Sequence, residues 1–307
     1  MPRKREFWEW KHFRNPFGTS PALVALSGEK LVGLRVFLRW SWRSGEREIA
    51  AVRAVDTATH PDWQGKGIFS NLTGQLVEQM ESEGVCFIFN TPNRSSLPGY
   101  LQMGWKRVAR IPIWIRPTKP FRWILRVIHP RNNSFSDEGV GSGSLNEMLG
   151  QPVVEEFLLS IPDDERYHTA RTNRYLRWRY ADIPFFSYQA RWKSEKNGCA
   201  LLIFRTRIRK GLQELSLSEL LLSQNQSAVQ LGRELLDELA HNSGADYIVA
   251  TAASDTHESA ALRLSGFFPL GAVGPVLTAR PLNHTFTGRN PLDWSNWRCS
   301  LGEMEIF

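Results

Sequence analysis

The sequence predicts an α+β fold that is built twice, as two tandem lobes joined by a connecting segment. Three observations carry this prediction: the order of strand and helix patterns, short matches that recur between the two halves, and a glycine- and serine-rich stretch between them. A length of 307 residues suits two medium domains. The composition, 42% hydrophobic and 22% charged, excludes a disordered, collagenous or coiled-coil chain.

Strand patterns dominate the first half. The predicted strands are residues 22–26, 31–42, 47–59, 85–89 and 105–115. Between the third and fourth strands, apolar residues from Ile68 to Met80 recur at helical spacing, which predicts an amphipathic helix ending near Gly84. A second, shorter helix is predicted to end at Gly104.

The second half repeats this order, with strands predicted at 200–209, 212–222 and 247–250 and helices through Leu239 and Leu262. Short matches recur between the halves at similar offsets. The stretch WKHFRNPF from Trp10 matches WRYADIPF from Trp178 at an offset of 168 residues. Gly84 matches Gly244 at an offset of 160 residues, and Gly104–Trp105 matches Gly266–Phe267 at an offset of 162 residues. One architecture used twice is the interpretation we adopt, with chance similarity as the alternative.

The boundary falls in residues 131–144, which lack apolar periodicity and have the composition of a flexible linker or long surface loop. We therefore predict a first domain at residues 1–117, a connecting segment at 118–150, and a second domain with a C-terminal tail at 151–307. In the tail, Trp294, Trp297 and Phe307 are expected to pack against the rest of the chain.

Neither a membrane span nor a signal peptide is predicted, because no stretch approaches eighteen consecutive apolar residues and no apolar run follows the basic start. The expected compartment is the cytoplasm. The three cysteines, Cys86, Cys199 and Cys299, lie far apart without the spacing of a disulfide framework or a zinc site. We expect ordinary thiols and no metal.

The net charge of +7 lies on the first half. Residues 1–117 hold 17 Lys and Arg against 10 Asp and Glu, whereas residues 151–307 hold 17 against 18. An anionic partner is therefore expected on the first half, with a simple solubility charge as the alternative.

A glycine turn lies between the third predicted strand and the first predicted helix, in the stretch HPDWQGKGIFSNL. Without side chains, Gly65 and Gly67 let the backbone approach an anion closely, while amide N–H groups and the positive end of the helix dipole converge on it. A diphosphate is the natural ligand of such a turn, and a tight turn or helix cap is the alternative.

This turn, Gln64-Gly65-Lys66-Gly67-Ile68-Phe69, resembles the Gln/Arg-x-x-Gly-x-Gly/Ala signature of the GNAT family of acetyl-CoA-dependent N-acetyltransferases, with Phe69 in place of the last small residue. A second family feature is an Asn seven residues before a Tyr that precedes a Gly-aromatic pair by four, which Asn93, Tyr100 and Gly104–Trp105 match. The resemblance spans residues 7–115. The repeated order implies a degenerate second GNAT-like copy over about 165–281, each copy being a mostly antiparallel mixed sheet flanked by helices.

The resemblance implies transfer of an acetyl or other acyl group from acetyl-CoA, a cosubstrate, to a primary amine by direct attack in a ternary complex. Tyr100 is the implied general acid. The implied cofactor-binding residues are Thr57, Ala58, Thr59, Gln64, Gly65, Lys66, Gly67, Ile68, Phe69 and Asn93. Asn93 has the alternative role of an Asx cap, and Lys66 and Arg94 are either phosphate ligands or solvated charges. Asp56 and His60 are candidate bases, with a paired carboxylate and a loop histidine as alternatives.

The second copy has Ser-Gln-Asn-Gln-Ser-Ala from Ser223 in place of the glycine turn and Leu262 in place of the tyrosine, so one active centre per chain is expected. The acceptor is expected to be a small-molecule or peptide amine, and the sequence leaves its identity and the oligomeric state open. Three alternatives remain: a Fem-like aminoacyl transferase, a noncatalytic acyl-CoA sensor, and a nucleic-acid-binding protein, the last supported only by charge and tryptophan content.

Overall fold

Two six-stranded sheets form the centre of the computed structural model, which describes residues 4–119, 143–271, 273–282 and 288–304. The strands are β1 Ala22–Ser27, β2 Lys30–Ser44, β3 Arg47–Thr59, β4 Phe87–Asn90, β5 Lys106–Arg110, β6 Ile113–Pro117, β7 Gln189–Glu195, β8 Gly198–Arg209, β9 Leu212–Leu222, β10 Tyr247–Ala250, β11 Phe268–Leu270 and β12 Val276–Pro281.

Helices flank both sheets. They are α1 Arg5–His12, α2 Ile68–Ser82, α3 Leu97–Gln102, α4 Gly143–Leu149, α5 Pro152–Ser160, α6 Asn173–Leu176, α7 Gln226–Asn242, α8 His257–Leu264 and α9 Leu301–Met304. A π-helical segment, Arg177–Ala181, continues α6, and single 3-10 turns form at Pro61–Trp63 and Trp294–Asn296. Within the described ranges, no helix has both the length and the apolar character needed to cross a membrane.

The first sheet has the order β1-β2-β3-β4-β12-β5, and the second has the order β11-β6-β10-β9-β8-β7. In each, one neighbouring pair is parallel, β3 with β4 and β9 with β10, and the other pairs are antiparallel. The predicted fold class, two mixed sheets flanked by helices, is confirmed. We call the first sheet with α2 and α3 the first lobe, and the second sheet with α7 and α8 the second lobe.

The two lobes exchange a strand. β6 follows β5 in the chain, yet it lies between β10 and β11 of the second sheet, while β12 lies between β4 and β5 of the first. The single strand predicted over residues 105–115 is therefore wrong. Pro112 has no amide hydrogen to donate to a sheet ladder, and the chain leaves the first sheet there and enters the second at Ile113.

The matched tryptophans Trp10 and Trp178 meet at the centre of the molecule. Trp10 Nε1 donates to the carbonyl oxygen of Trp178 at 2.7 Å, and Trp178 Nε1 donates to that of Trp10 at 3.0 Å. Their rings stack with centroids 5.1 Å apart and an angle of 17°. Such reciprocal contacts are typical of a two-fold relation, so the repeated motif marks an approximate two-fold axis between the halves.

Of the predicted connecting segment 118–150, residues 120–142 lie outside the described residues, and 143–149 form α4, whose Leu145 and Leu149 are fully buried. In the predicted tail, Trp297 is buried against Trp42 and Tyr167, whereas Phe307 lies outside the described residues. The central core therefore collects side chains from both halves of the chain.

We expect Trp10→Phe and Trp178→Phe each to lower the free energy of unfolding by about 1–3 kcal/mol, because each leaves a buried carbonyl oxygen without its donor. Trp8→Phe is the matched control, since Trp8 lies on the same helix and is only partly buried. Chemical denaturation of the three variants checks this. Equal losses at Trp8 and Trp10 would contradict the role of the reciprocal bonds.

Candidate active site

Strands β3 and β4 separate in the middle of the first sheet. They pair in parallel only at Ala51–Arg53 with Phe87–Phe89. Beyond that point β3 continues to Thr59 paired with β2 alone, while β4 ends at Asn90 paired with β12. On the side away from β2, β3 therefore has no strand partner beyond Arg53 among the described residues, and Thr57 and Ala58 are exposed.

A β-bulge in this part of β3 sets Asp56 apart. The register shifts so that Arg35 pairs with Thr57 and Val36 pairs with Val55, which leaves Asp56 as the extra residue, at φ +22°. Its carboxylate Oδ2 lies 2.7 Å from Lys11 Nζ and 3.0 Å from His12 Nε2.

The sequence predicts that Asp56 is either a general base or a carboxylate paired with a cation, and its contacts favour the pairing. Burial acts to raise the pKa of Asp56, but the His12 hydrogen bond and the Lys11 charge outweigh burial and hold that pKa below its ordinary value. A carboxylate with a lowered pKa is a weak proton acceptor, so the structure favours a paired carboxylate over a general base.

The glycine turn connects β3 to α2 and is open to solvent. Gly65 and Gly67 have φ of +74° and +76°, which L-residues rarely adopt, and a Cβ on either would meet nothing within 4 Å. Residues 64–67 are exposed. Helix α2 begins at Ile68 without a side-chain cap, so the amide N–H groups of its first turn are free to bind an anion.

Side chains around the turn contact the turn itself. Gln64 Nε2 donates to the Thr59 carbonyl oxygen at 3.4 Å, and Lys66 Nζ lies 4.4 Å from the centre of the Trp63 ring. His60 Nδ1 accepts a bond from the Asp62 amide at 3.3 Å, which is the loop role foreseen as its alternative.

Asn93 caps the loop before α3. Its Oδ1 accepts bonds from the amides of Ser95 at 3.1 Å and Ser96 at 2.9 Å and from both hydroxyl groups. The Asx cap is therefore formed. Its Nδ2 has no hydrogen-bond partner within the described part of the chain, so this amide retains donors for a ligand. Arg94 beside it is exposed.

Tyr100 lies on α3 and is 4% exposed. Its hydroxyl oxygen accepts a bond from Arg35 Nη2 at 2.9 Å, and its ring packs edge-on against Phe69 at 5.8 Å and Trp105 at 5.2 Å. The structure thus brings Tyr100 together with Phe69, the second residue of α2. Phe69 fills the position of the small residue in the family signature, and its ring packs into this aromatic group.

Arg35 is the site residue that sequence reasoning missed. It lies on β2 and is fully buried, with Nη1 donating to the Val55 carbonyl oxygen at 3.0 Å. A signal for it was present, because Arg35 interrupts the otherwise apolar run from Leu31 to Leu38 within β2, and arginines are almost never fully buried.

The second lobe lacks these features. Asn225 Oδ1 accepts the Ala228 amide at 2.9 Å and so caps α7, the counterpart of α2, with the protein's own side chain. Leu262 is fully buried in the apolar core of this lobe. Where β9 and β10 end, a cavity of about 450 Å³ remains, and Glu219, Leu221 and Ala252 are among its lining residues.

Among residues 4–119, 143–271, 273–282 and 288–304, no group of three or more His, Cys, Asp or Glu side chains is placed so that it could hold a metal ion. The cysteines Cys86, Cys199 and Cys299 are free thiols.

The family comparison agrees with the motif. Residues 2–108 match the model of an acetyltransferase (GNAT) domain, so the resemblance found in the glycine turn is confirmed for this part of the chain. Among curated proteins, no sequence matches the chain.

Several solved structures have a similar fold. A GCN5-related N-acetyltransferase from Anabaena variabilis is 14% identical with a TM-score of 0.57, and the match covers 90% of this chain and 65% of that one. A probable N-acyltransferase from Enterococcus faecalis is 15% identical with a TM-score of 0.62, and the match covers 92% of this chain and 66% of that one. Eis1 from Mycobacterium abscessus is 13% identical with a TM-score of 0.50, and the match covers 91% of this chain and 69% of that one. The chain spans about two thirds of the length of these structures.

Asp56→Asn should lower the free energy of unfolding by about 1–3 kcal/mol at pH 7, because buried Lys11 loses its anionic partner. A pKa lowered by folding stabilises the protein above the unfolded value and ceases to do so as pH falls through the folded value. The difference from wild type should therefore shrink below about pH 4. Urea denaturation across pH tests this, with Asp62→Asn, whose side chain is 76% exposed, as control. A difference that persists undiminished in acid would argue against the ion pair.

Proposed function

From the GNAT domain at residues 2–108, we propose that the chain is an N-acyltransferase that transfers an acetyl group from acetyl-CoA to a primary amine. The observation that carries the proposal is the contrast between the two helix N-termini. Helix α2 begins at two exposed left-handed glycines without a cap, whereas α7 is capped by Asn225. An uncapped turn leaves amide groups unsatisfied, which favours an anionic ligand at α2 alone.

The residues of the first lobe fit acetyl-CoA. In the proposed complex, the amides of residues 64–69 hold the diphosphate, and the open backbone of residues 57–59 binds the pantetheine arm. Asn93 Nδ2 and the charges of Lys66 and Arg94 face the same ligand in this proposal. The excess of basic residues in 1–117 supports a polyanionic partner for this lobe.

Tyr100 supplies the proton in the proposed reaction. Its hydroxyl oxygen already accepts a bond from Arg35, and it donates to no group among the described residues, so its own hydrogen is available. Acetyl-CoA supplies a thioester, and a neutral amine attacks it once both are held together where β3 and β4 separate. Protonation of the departing sulfur by a positioned phenol accelerates such a step by about 10² to 10⁴.

The proposed role of the glycine turn as the diphosphate site is tested by Gly67→Trp. This change should weaken binding of acetyl-CoA at least about tenfold in calorimetric titration, because an indole fills the space left for the diphosphate. Gly84→Trp is the matched control. Gly84 has φ +77°, and a Cβ there also meets nothing within 4 Å, so both variants carry the same backbone strain. Equal affinities of the two variants for acetyl-CoA would show that the glycine turn does not hold the diphosphate.

The acid is tested by Tyr100→Phe, which should keep its affinity for acetyl-CoA while thiol release with a primary amine falls at least about tenfold. The amine is chosen by screening monoamines, polyamines, amino acids and a lysine-containing peptide against the wild type. Unchanged turnover would remove Tyr100 from the reaction. Tight binding of acetyl-CoA with no thiol release on any amine would favour the noncatalytic sensor.

A further inference from the structure

We propose that Arg35 is a positioning residue for the reaction, a buried cation that aims the Tyr100 hydroxyl and stabilises the negative charge it acquires when it gives up its proton. This inference rests on the proposed function, because it concerns the same proton transfer. The juxtaposition that carries it is a guanidinium that has no carboxylate within 4.0 Å among the described residues and that bonds directly to the phenol, beside the part of β3 that pairs with β2 alone.

The geometry of Arg35 joins the two parts of the site. Nη2 donates to the Tyr100 hydroxyl oxygen at 2.9 Å, and Nη1 donates to the Val55 carbonyl oxygen at 3.0 Å, next to the bulge where β3 leaves β4. The guanidinium also lies 5.4 Å from the centre of the Phe69 ring. One planar group therefore fixes the distance between the phenol and the strand proposed to hold the thioester.

Arg35 is costly to bury unless its charge has a use. It is fully buried, its Nε has no hydrogen-bond partner, and within the described part of the chain no carboxylate lies within 4.0 Å of it. Burial accordingly lowers the pKa of Arg35, against the opposing influences of Tyr100 and of the more distant Asp56 carboxylate. A guanidinium keeps its proton in proteins, so a positive charge without a directly contacting carboxylate among the described residues is held beside Tyr100.

In the proposed reaction, the positive charge of Arg35 gains an anionic partner when Tyr100 loses its proton. The acceptor nitrogen forms a bond to the acyl carbon, and the carbon–sulfur bond breaks with its electron pair left on sulfur. The sulfur takes the Tyr100 hydroxyl proton, which leaves a phenolate, and the proton released by the acceptor nitrogen goes to water. Arg35 then faces an anion instead of a neutral oxygen, and hydrogen bonds to charged groups are the stronger kind. The phenolate regains a proton from water.

The proposal predicts opposite orders of stability and activity for two variants. Arg35→Met fits the apolar surroundings of Phe37 and Phe69 and should be the more stable, whereas Arg35→Lys keeps a positive charge and should be the more active. We expect Arg35→Met to lower kcat for thiol release at least about tenfold with acetyl-CoA affinity within threefold of wild type. Arg39→Met, on the same strand but bonded to Thr19 and Glu83, should stay within twofold.

A double-mutant cycle with Tyr100→Phe separates the possible failures. If Arg35 acts through the phenol, Arg35→Met should cost less than about twofold in kcat once Tyr100 is Phe. An equal cost in both backgrounds, or an Arg35→Met enzyme as active as Arg35→Lys, would overturn the role of Arg35 while leaving the proposed function intact. If Tyr100→Phe leaves kcat unchanged, Tyr100 is not the general acid, and the proposed function fails at that step. Should Arg35→Met not fold, the same cycle is run with Arg35→Lys, whose kcat loss must likewise shrink in the Tyr100→Phe background.

Discussion

The exchange of β6 and β12 between the two sheets is the constraint on which the rest of the structure depends. Neither sheet is complete with strands from its own half of the chain, and the reciprocal bonds of Trp10 and Trp178 join the halves at the centre. The exchange also shapes the candidate active site. β4 pairs with β12 over the whole of Phe87–Asn90, whereas it pairs with β3 only at Phe87–Phe89. The second half of the chain thus supplies the strand that pairs with β4 on the side away from β3.

The two copies of the fold resolve the same local problem in opposite ways. A strand-to-helix turn leaves amide groups without partners, and α7 satisfies one of them with Asn225. The equivalent turn before α2 combines two left-handed glycines with an uncapped helix, a less stable choice that is sustained by the surrounding structure. Unsatisfied groups of this kind are typical of functional sites, whereas a self-capped turn is typical of a structural one. The difference in capping therefore supports the proposal that the first lobe alone binds the anionic cosubstrate.

Local patterns predicted most of the fold. Strands β3, β9 and β10 have the predicted bounds, and α2 begins at the predicted Ile68, because alternation and helical spacing are properties of neighbouring residues. The partner of β6 could not be predicted in this way, since residues 113–117 satisfy a strand pattern equally well in either sheet. Within the candidate site, the resemblance to the family motifs pointed to Tyr100 and the glycine turn, and their roles remain proposals. Arg35 escaped notice because its significance lies in a contact across 65 residues of sequence, and the pairing of Asp56 with Lys11 likewise depends on how α1 packs.

Phe69 is the point at which the sequence departs from the family signature, and the proposed role of Arg35 gives the departure a physical reason. A small residue there would leave space for water beside the guanidinium, and water screens charge. The Phe69 ring closes that space from one side, while Phe37 and Tyr100 lie against the guanidinium as well. In such apolar surroundings a fixed cation stabilises a nearby developing anion far more than it would in solvent, without any reorganisation at the moment of transfer. In the proposed mechanism, Phe69 therefore supports Arg35 by keeping water away from the guanidinium, and Arg35 supplies the positive charge that the phenolate needs.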